Sequence, residues 1–285
     1  MTVHRALAET SHLIEQINSQ NPEREARWLL ESVAGSLITD HRREEITISR
    51  DQAEKLNALI ERRLKYEPLQ YLLGTVDFRN ININIDHRAL IPRPETEGLI
   101  DFGLTAIRSL KHPRVLDVGT GSGVIALSLL DEHSGASAIC VDNSSAALEL
   151  AIENCQLLNC INRAEWLQID LFSEEFTSLS PPPFDLIISN PPYVSSEEFD
   201  TLPLDIKNHE PAQALLAGSD GLEAIRRLAE ASGALLTKTG TLVCEIGENH
   251  GLQALQLFRK HGWDVNITED LSQKPRYLTA KLPAA

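Results

Sequence analysis

The sequence predicts an α/β protein with a mostly parallel, seven-stranded sheet and an antiparallel last strand, preceded by a small N-terminal helical domain. Three observations carry this. From Arg114 onward, short apolar β-forming runs alternate with helical patterns, which implies a parallel sheet with right-handed crossovers. The last two runs, Asp264 to Thr268 and Tyr277 to Leu282, leave no room for a crossover helix between them and are expected to pair antiparallel at one end of the sheet. Residues 1 to about 75, by contrast, carry apolar positions at helical spacing only.

In chain order, Leu7, Leu13, Ile14 and Ile17, then Ala26, Leu29, Leu30 and Val33, then Leu56, Leu59, Ile60 and Leu64 define the bundle over residues 1–75. Breaks fall at Asn21-Pro22, with proline in the first-turn position, and between Gly35 and Ile48. Residues 76–112 form a connecting region. In it Ile81, Ile83 and Ile85 alternate with asparagines, a period of two that predicts a strand or hairpin. Thr96 or Glu95 then opens a helix to about Leu110, after Pro92-Arg93-Pro94, which reads either as a rigid linker or as a pocket wall. Residues 113–285 make the α/β domain. Its strands are Val115 to Val118, Ala138 to Val141, Ala164 to Ile169, Asp185 to Ser189, Thr241 to Ile246 and the final pair, with helices from Ser122, from Ser144 and near Leu222 to Leu236. A short proline-rich loop, Ser180 to Pro183, precedes the fourth strand.

Composition removes several function classes. A formal charge of −15 repels a phosphate backbone and argues against generic nucleic-acid binding. No stretch approaches the roughly 18 to 20 apolar residues of a membrane span, and the charged, amphipathic N-terminus does not read as a signal peptide, so a cytoplasmic location is expected. The four cysteines form no CxxC pair and the nine histidines no HxxxH, so neither a disulfide framework nor a metal site is expected.

Chemistry concentrates at strand ends. Asp117-Val118-Gly119-Thr120-Gly121-Ser122-Gly123 stands where the first strand gives way to a helix, and glycines let the backbone turn tightly and approach a ligand. The second strand ends in Asp142, where an acidic side chain can bind the two hydroxyls of a ribose. Asp170, after the third strand, can accept from an adenine amino group, with Leu171 and Phe172 as apolar walls. Each acid alone also reads as a helix cap or turn residue; three at successive strand ends point to an adenosine-containing cofactor. Val124 stands where a dinucleotide fingerprint needs its third glycine, which disfavours a nicotinamide-dependent dehydrogenase.

Asn190-Pro191-Pro192-Tyr193 closes the fourth strand. On its own it also reads as a strand-end turn. Beside a cofactor site it reads as a clamp for a planar nitrogen, whose lone pair is delocalised and hard to alkylate. The Asn190 carboxamide oxygen and the Pro191 carbonyl can accept the two N–H bonds, Tyr193 can pack on the plane, and prolines add acceptors without competing donors.

With these motifs in order, the C-terminal part resembles the class I S-adenosylmethionine-dependent methyltransferases, a Rossmann-like superfamily. The tetrapeptide occurs in amino-methylating enzymes of DNA, RNA and protein, so it specifies the atom type and not the substrate. Pro68-Leu69-Gln70-Tyr71-Leu72-Leu73-Gly74, Leu90 to Glu97, Glu210-Pro211 and Gly218-Ser219-Asp220-Gly221 further resemble the protein-(glutamine-N5) methyltransferases that modify class 1 peptide chain release factors. That resemblance implies that the helical domain helps hold the release factor and that the glutamine of its Gly-Gly-Gln motif is methylated. It implies cofactor contacts at Asp117, Gly119, Thr120, Gly121, Ser122, Gly123, Asp142, Asp170, Leu171 and Asn190. Asn190, Pro191, Pro192 and Tyr193 would bind the glutamine amide, with Asn190, Pro191 and Tyr193 carrying catalysis and no metal. Relatives acting on a ribosomal-protein glutamine, or on adenine N6 of a nucleic acid, are the alternatives.

Overall fold

The computed structural model describes residues 1–35, 46–179 and 183–283; most of the expected break between Gly35 and Ile48, and most of the Ser180 to Pro183 loop, lie outside them. The chain divides into two compact units, Met1–Thr75 with Pro203–His209, and Val76–Leu202 with Glu210–Ala285.

The first unit is helical: α1 (Val3–Glu15), α2 (Pro22–Ala34), α3 (Arg50–Arg63) and α4 (Leu69–Leu73). Asn21 caps α2 with Pro22 following it, and Ser49 with Gln52 forms a capping box on α3; each cap satisfies backbone N–H groups that a helix start leaves without partners. Leu29, Leu30, Leu56 and Ile60 meet in one buried cluster with Ala6 and Ile14. An ion pair between Arg63 and Glu25, at 2.7 Å, ties α3 to the start of α2.

The second unit begins with a two-stranded sheet, β1 (Thr75–Phe78, its first residue lent by the helical unit) and β2 (Ile81–Asn84), and continues with α5 (Thr96–Ile107), β3 (Arg114–Val118), α6 (Val124–Glu132), β4 (Ser137–Asp142), α7 (Ser145–Leu157), β5 (Ala164–Gln168), α8 (Glu174–Thr177), β6 (Phe184–Ser189) and α9 (Ser196–Thr201). After α10 (Leu204–His209), which belongs to the helical unit, come α11 (Glu223–Ala231), β7 (Leu236–Glu245), α12 (Gly251–Lys260), β8 (Asp264–Glu269) and β9 (Pro275–Lys281). Seven strands form one sheet in the order β5-β4-β3-β6-β7-β9-β8, with β9 antiparallel to both neighbours.

Side-chain alternation builds the layers. Val115, Leu186, Ile188 and Val243 face one side with α5 and α6, whereas Leu116, Val118, Ile187 and Leu242 face the other with α11 and α12. Strands covered on both faces are apolar at odd and even positions alike, which is why β3 and β6 read as near-continuous apolar runs, interrupted by Asp117 and Asp185. Two boundaries differ from the sequence reading. Helix α6 starts at Val124 rather than Ser122, because Gly123 at φ +83 keeps the preceding turn out of the helix. Helix α5 starts at Thr96, yet neither Thr96 nor Glu95 caps it through a side chain; Thr96 spends its hydroxyl elsewhere. Among the described residues, no helix is long and apolar enough to cross a membrane.

Candidate active site

Strands β3 and β6 are neighbours, but the chain leaves β3 toward β4 and β5 on one side and reaches β7 on the other. Crossovers therefore diverge at this pair and open a crevice beyond its C-terminal ends, the place where open α/β sheets bind ligands. A cavity of about 310 Å³ lies there. Its walls include Gly119, Thr120, Gly121 and Ser122 after β3, Asp142 at the end of β4, Asp170, Leu171 and Phe172 after β5, and Asn190, Pro191 and Pro192 after β6. Leu90, Pro92 and Thr96, ahead of and within α5, line it as well.

The glycine loop is held from below. Gly119 and Thr120 donate their N–H groups to the Val141 carbonyl at 2.9 and 3.1 Å. Gly121 donates to Asp142 Oδ2 at 2.9 Å, while Asp142 Oδ1 accepts from the Ser144 N–H at 2.9 Å. Asp142 thus spans two loops and keeps lone pairs for a further donor. At Gly123 an added Cβ would meet Ala151, Leu127 and Trp166 at 3.1 to 3.2 Å, in addition to the cost of positive φ.

The expected residues do not all line this cavity. Asp117 is fully buried under the loop, where Oδ2 accepts from the Thr120 hydroxyl at 2.6 Å and the Ala126 N–H at 3.2 Å. It braces the turn and the start of α6, and it is absent from the cavity wall, as is Gly123. Asp170 lines the cavity but is exposed, and its carboxylate accepts from the Phe172 N–H at 2.9 Å, so it also serves as a turn residue. Tyr193 stands beside the cavity rather than in its wall, next to Gly247. Burial, reinforced by the nearby Glu245 charge, pushes its phenol up to about 12.

Behind Asn190 runs a chain of hydrogen bonds. Asn190 Nδ2 donates to Thr96 Oγ1 at 3.1 Å, and the Thr96 hydroxyl donates to Glu245 Oε2 at 2.8 Å. Glu245 is 1% exposed at the end of β7. A second buried acid, Glu210, accepts from the Ile91 N–H at 3.1 Å and from Arg93 at 2.6 Å, fixing the segment that carries Leu90 and Pro92. Thr96, Glu210 and Glu245 were not assigned site roles from the sequence. Thr96 and Glu210 lie in segments that carry the family resemblance, but no local pattern gives any of the three its role; each acts on a partner more than 90 residues away.

Three of these acids are held in the protonated direction. Burial is the largest cause at Asp117 and Glu245, both pushed up to about 7, and at Asp142. A folded-state pKa above the unfolded value means that the folded protein keeps protons the unfolded chain releases. The stability from Asp117 and Glu245 is therefore fully present below about pH 4 and is lost as pH rises through about 7, and Asp142 acts in the same direction. Every tenfold difference in proton affinity between the folded and unfolded chain corresponds to about 1.4 kcal/mol. The opposite case, Asp86 held low chiefly by its hydrogen bonds to Arg88, acts below this window. The melting temperature of the ligand-free protein is accordingly expected to fall between about pH 5 and pH 8, as read by calorimetry; a rise would contradict the assigned burial.

Comparison with known proteins follows the same division. Residues 5–74 match the family model described as PrmC N-terminal domain, and residues 100–206 match Methyltransferase small domain. The chain is 36% identical over 281 residues to the release factor glutamine methyltransferase of Caulobacter vibrioides, covering 97% of this chain and 95% of that protein. It is 34% identical to the proteins of that name from Agrobacterium fabrum and Deinococcus radiodurans, covering 98% and 99% of this chain and 96% and 99% of theirs. Among solved structures, the hMettl16 catalytic domain in complex with an RNA hairpin superimposes with a TM-score of 0.58 at 18% identity, over 84% of each chain, a likeness of fold.

Proposed function

The chain belongs to the release factor glutamine methyltransferase family, and on that premise we propose that it methylates the N5 side-chain amide of the glutamine in the Gly-Gly-Gln motif of class 1 peptide chain release factors, with S-adenosylmethionine as donor. One observation carries this reading: the Asn190-Pro191-Pro192 wall stands at the same cavity as Asp142 and the glycine loop, so a methyl donor and a planar nitrogen can meet there.

The cavity's residues fit the donor. Asp142 keeps acceptor capacity for the ribose hydroxyls, Leu171 and Phe172 offer apolar surface to an adenine, and Gly119, Gly121 and Ser122 let backbone approach closely. S-adenosylmethionine, when bound, supplies a methyl carbon already activated by its sulfonium. The protein's task is then alignment and exclusion of water, an orientation effect that can supply several kcal/mol. Asn190 Oδ1 and the Pro191 carbonyl accept the glutamine N–H bonds. Those bonds strengthen as the nitrogen becomes positive, which is the differential stabilisation that speeds a step. The nitrogen sheds its extra proton to water after transfer, so no side chain is needed as a base. Residues 1–75 are assigned to recognition of the release factor and the protein to the cytoplasm. Asp117 and Gly123 support the cofactor loop from beneath, and Tyr193 backs the amide clamp.

Radiolabelled S-adenosylmethionine tests this against release factor, ribosomal protein and DNA. Label is expected in the release factor, and none in a release factor whose motif glutamine is replaced. Label in DNA, or in none of the three, overturns the assignment.

A further inference from the structure

The hydrogen-bond chain behind Asn190 has a direction that its chemistry imposes. We infer that Thr96 and Glu245 are positioning residues that set the polarity of the Asn190 carboxamide, turning its oxygen toward the reacting nitrogen. This deepens the reading above and rests on it.

Above about pH 7 Glu245 is ionised, and an ionised carboxylate accepts hydrogen bonds and donates none. Glu245 Oε2 lies 2.8 Å from Thr96 Oγ1, so the single hydroxyl proton of Thr96 is committed to Glu245. Thr96 Oγ1 can then only accept from its other neighbour, Asn190, 3.1 Å away. An amide oxygen placed there would face the lone pairs of Thr96. The carboxamide must therefore offer its NH₂, which leaves Oδ1 for the cavity that Asn190 lines. The reversed amide would present N–H to the N–H of a substrate amide, donor against donor. Amide oxygen and nitrogen are nearly the same shape, so packing alone cannot choose between them; a buried charge can.

Geometry supports the commitment. Glu245 is at the end of β7 and Thr96 is the first residue of α5, two elements set by the sheet and its covering helix. Both side chains are buried, Thr96 at 2% exposure and Glu245 at 1%, so water does not compete for the hydroxyl. The Tyr193 phenol lies within the field of the same carboxylate, whose charge adds to burial in raising it. Among the described residues, Glu95, Tyr193, Cys244, Arg276 and Tyr277 are charged or titratable groups that interact with Glu245. Arg276 is bonded to Asp270 at 3.2 Å and to the Ile246 carbonyl at 3.3 Å, so its charge acts on Glu245 without occupying it.

Full-length Thr96→Val, Thr96→Ser and Glu245→Gln proteins test the inference at about pH 8.5, where a carboxyl with a pKa of about 7 is ionised. Thr96→Val, which keeps shape but removes the acceptor, is expected to lower kcat on the order of a hundredfold, with the Kd for S-adenosylmethionine by calorimetry within about threefold of wild type. Thr96→Ser restores the hydroxyl and is expected to recover most of that loss. Glu245→Gln can donate or accept, so it removes the bias; the expected drop in kcat is roughly tenfold. Turnover of Thr96→Val within about threefold of wild type, failure of serine to rescue, or a Kd increase as large as the loss in kcat each overturns the inference.

A second measurement does not depend on turnover. In protein labelled with ¹⁵N-asparagine, the Asn190 side-chain pair is the one missing from Asn190→Ala. One Nδ2 proton should exchange slowly with water in the wild type, and at least about tenfold faster in Thr96→Val. Unchanged exchange overturns the relay even where release factor is labelled. Accelerated exchange sustains it even where release factor is not, in which case the substrate assignment alone falls. A Thr96→Val protein that does not fold leaves the exchange comparison to Glu245→Gln, for which the same two outcomes decide.

Discussion

Asn190→Ala is expected to lower turnover of the release factor by on the order of a thousandfold, about 4 kcal/mol of transition-state stabilisation, while cofactor binding remains measurable. The size follows from what the side chain does. A carboxamide nitrogen is held planar by conjugation, and attack requires its lone pair to leave that system. In the proposed mechanism Asn190 Oδ1 is the acceptor whose bond gains strength as this happens. Alanine removes it and also leaves Thr96 without the donor now 3.1 Å away. The Pro191 carbonyl persists, because it is backbone, so one of the two acceptors survives and residual activity is expected. Saturating kinetics separate the effects: kcat should fall far more than the Kd for the cofactor rises. Turnover near the wild-type rate would remove Asn190 from the mechanism.

The sheet was legible because β3 and β6 are covered on both faces and so are apolar on both, each interrupted by one aspartate, Asp117 and Asp185. The antiparallel end was legible because too few residues separate β8 from β9 for a helix. Strand parity accounts for Asp117: it lies in the same alternating set as Val115, which packs toward α5 and α6, so its side chain is directed into that layer rather than toward the crevice. The start of α6 lies two residues beyond its expected place because a backbone angle at Gly123, not a side-chain pattern, sets it. Short helices α4, α9 and α10 have too few turns to show a period. The relay behind Asn190 was out of reach for a different reason. Thr96 reads as a helix opener, Glu245 as the end of a strand, and only their proximity in space, 149 residues apart in the chain, reveals a shared task.

Asp142→Ala is expected to weaken cofactor binding before it affects chemistry, raising the Kd for S-adenosylmethionine by roughly a hundredfold, about 3 kcal/mol. The proposed charge-assisted bonds to the ribose hydroxyls are lost, and the loop beneath them loosens, because Gly121 and Ser144 lose the acceptor of their N–H groups at 2.9 Å. Stability should change less than binding. Removing a carboxylate whose burial holds it toward protonation relieves a cost, and this offsets the two backbone donors left without a partner. Asp142→Asn gives an internal comparison: its single acceptor can serve Gly121 or Ser144 but not both, so its Kd should fall between wild type and alanine. At saturating cofactor the alanine protein should recover much of its kcat, the reverse of Asn190→Ala. On the proposed roles, binding energy lost at Asp142 is shared by the ground and transition states, whereas that lost at Asn190 is realised only as the nitrogen becomes positive. An unchanged Kd by calorimetry would dismiss the ribose contact, and a kcat that stays low at saturation would move Asp142 from holding the donor to aligning it.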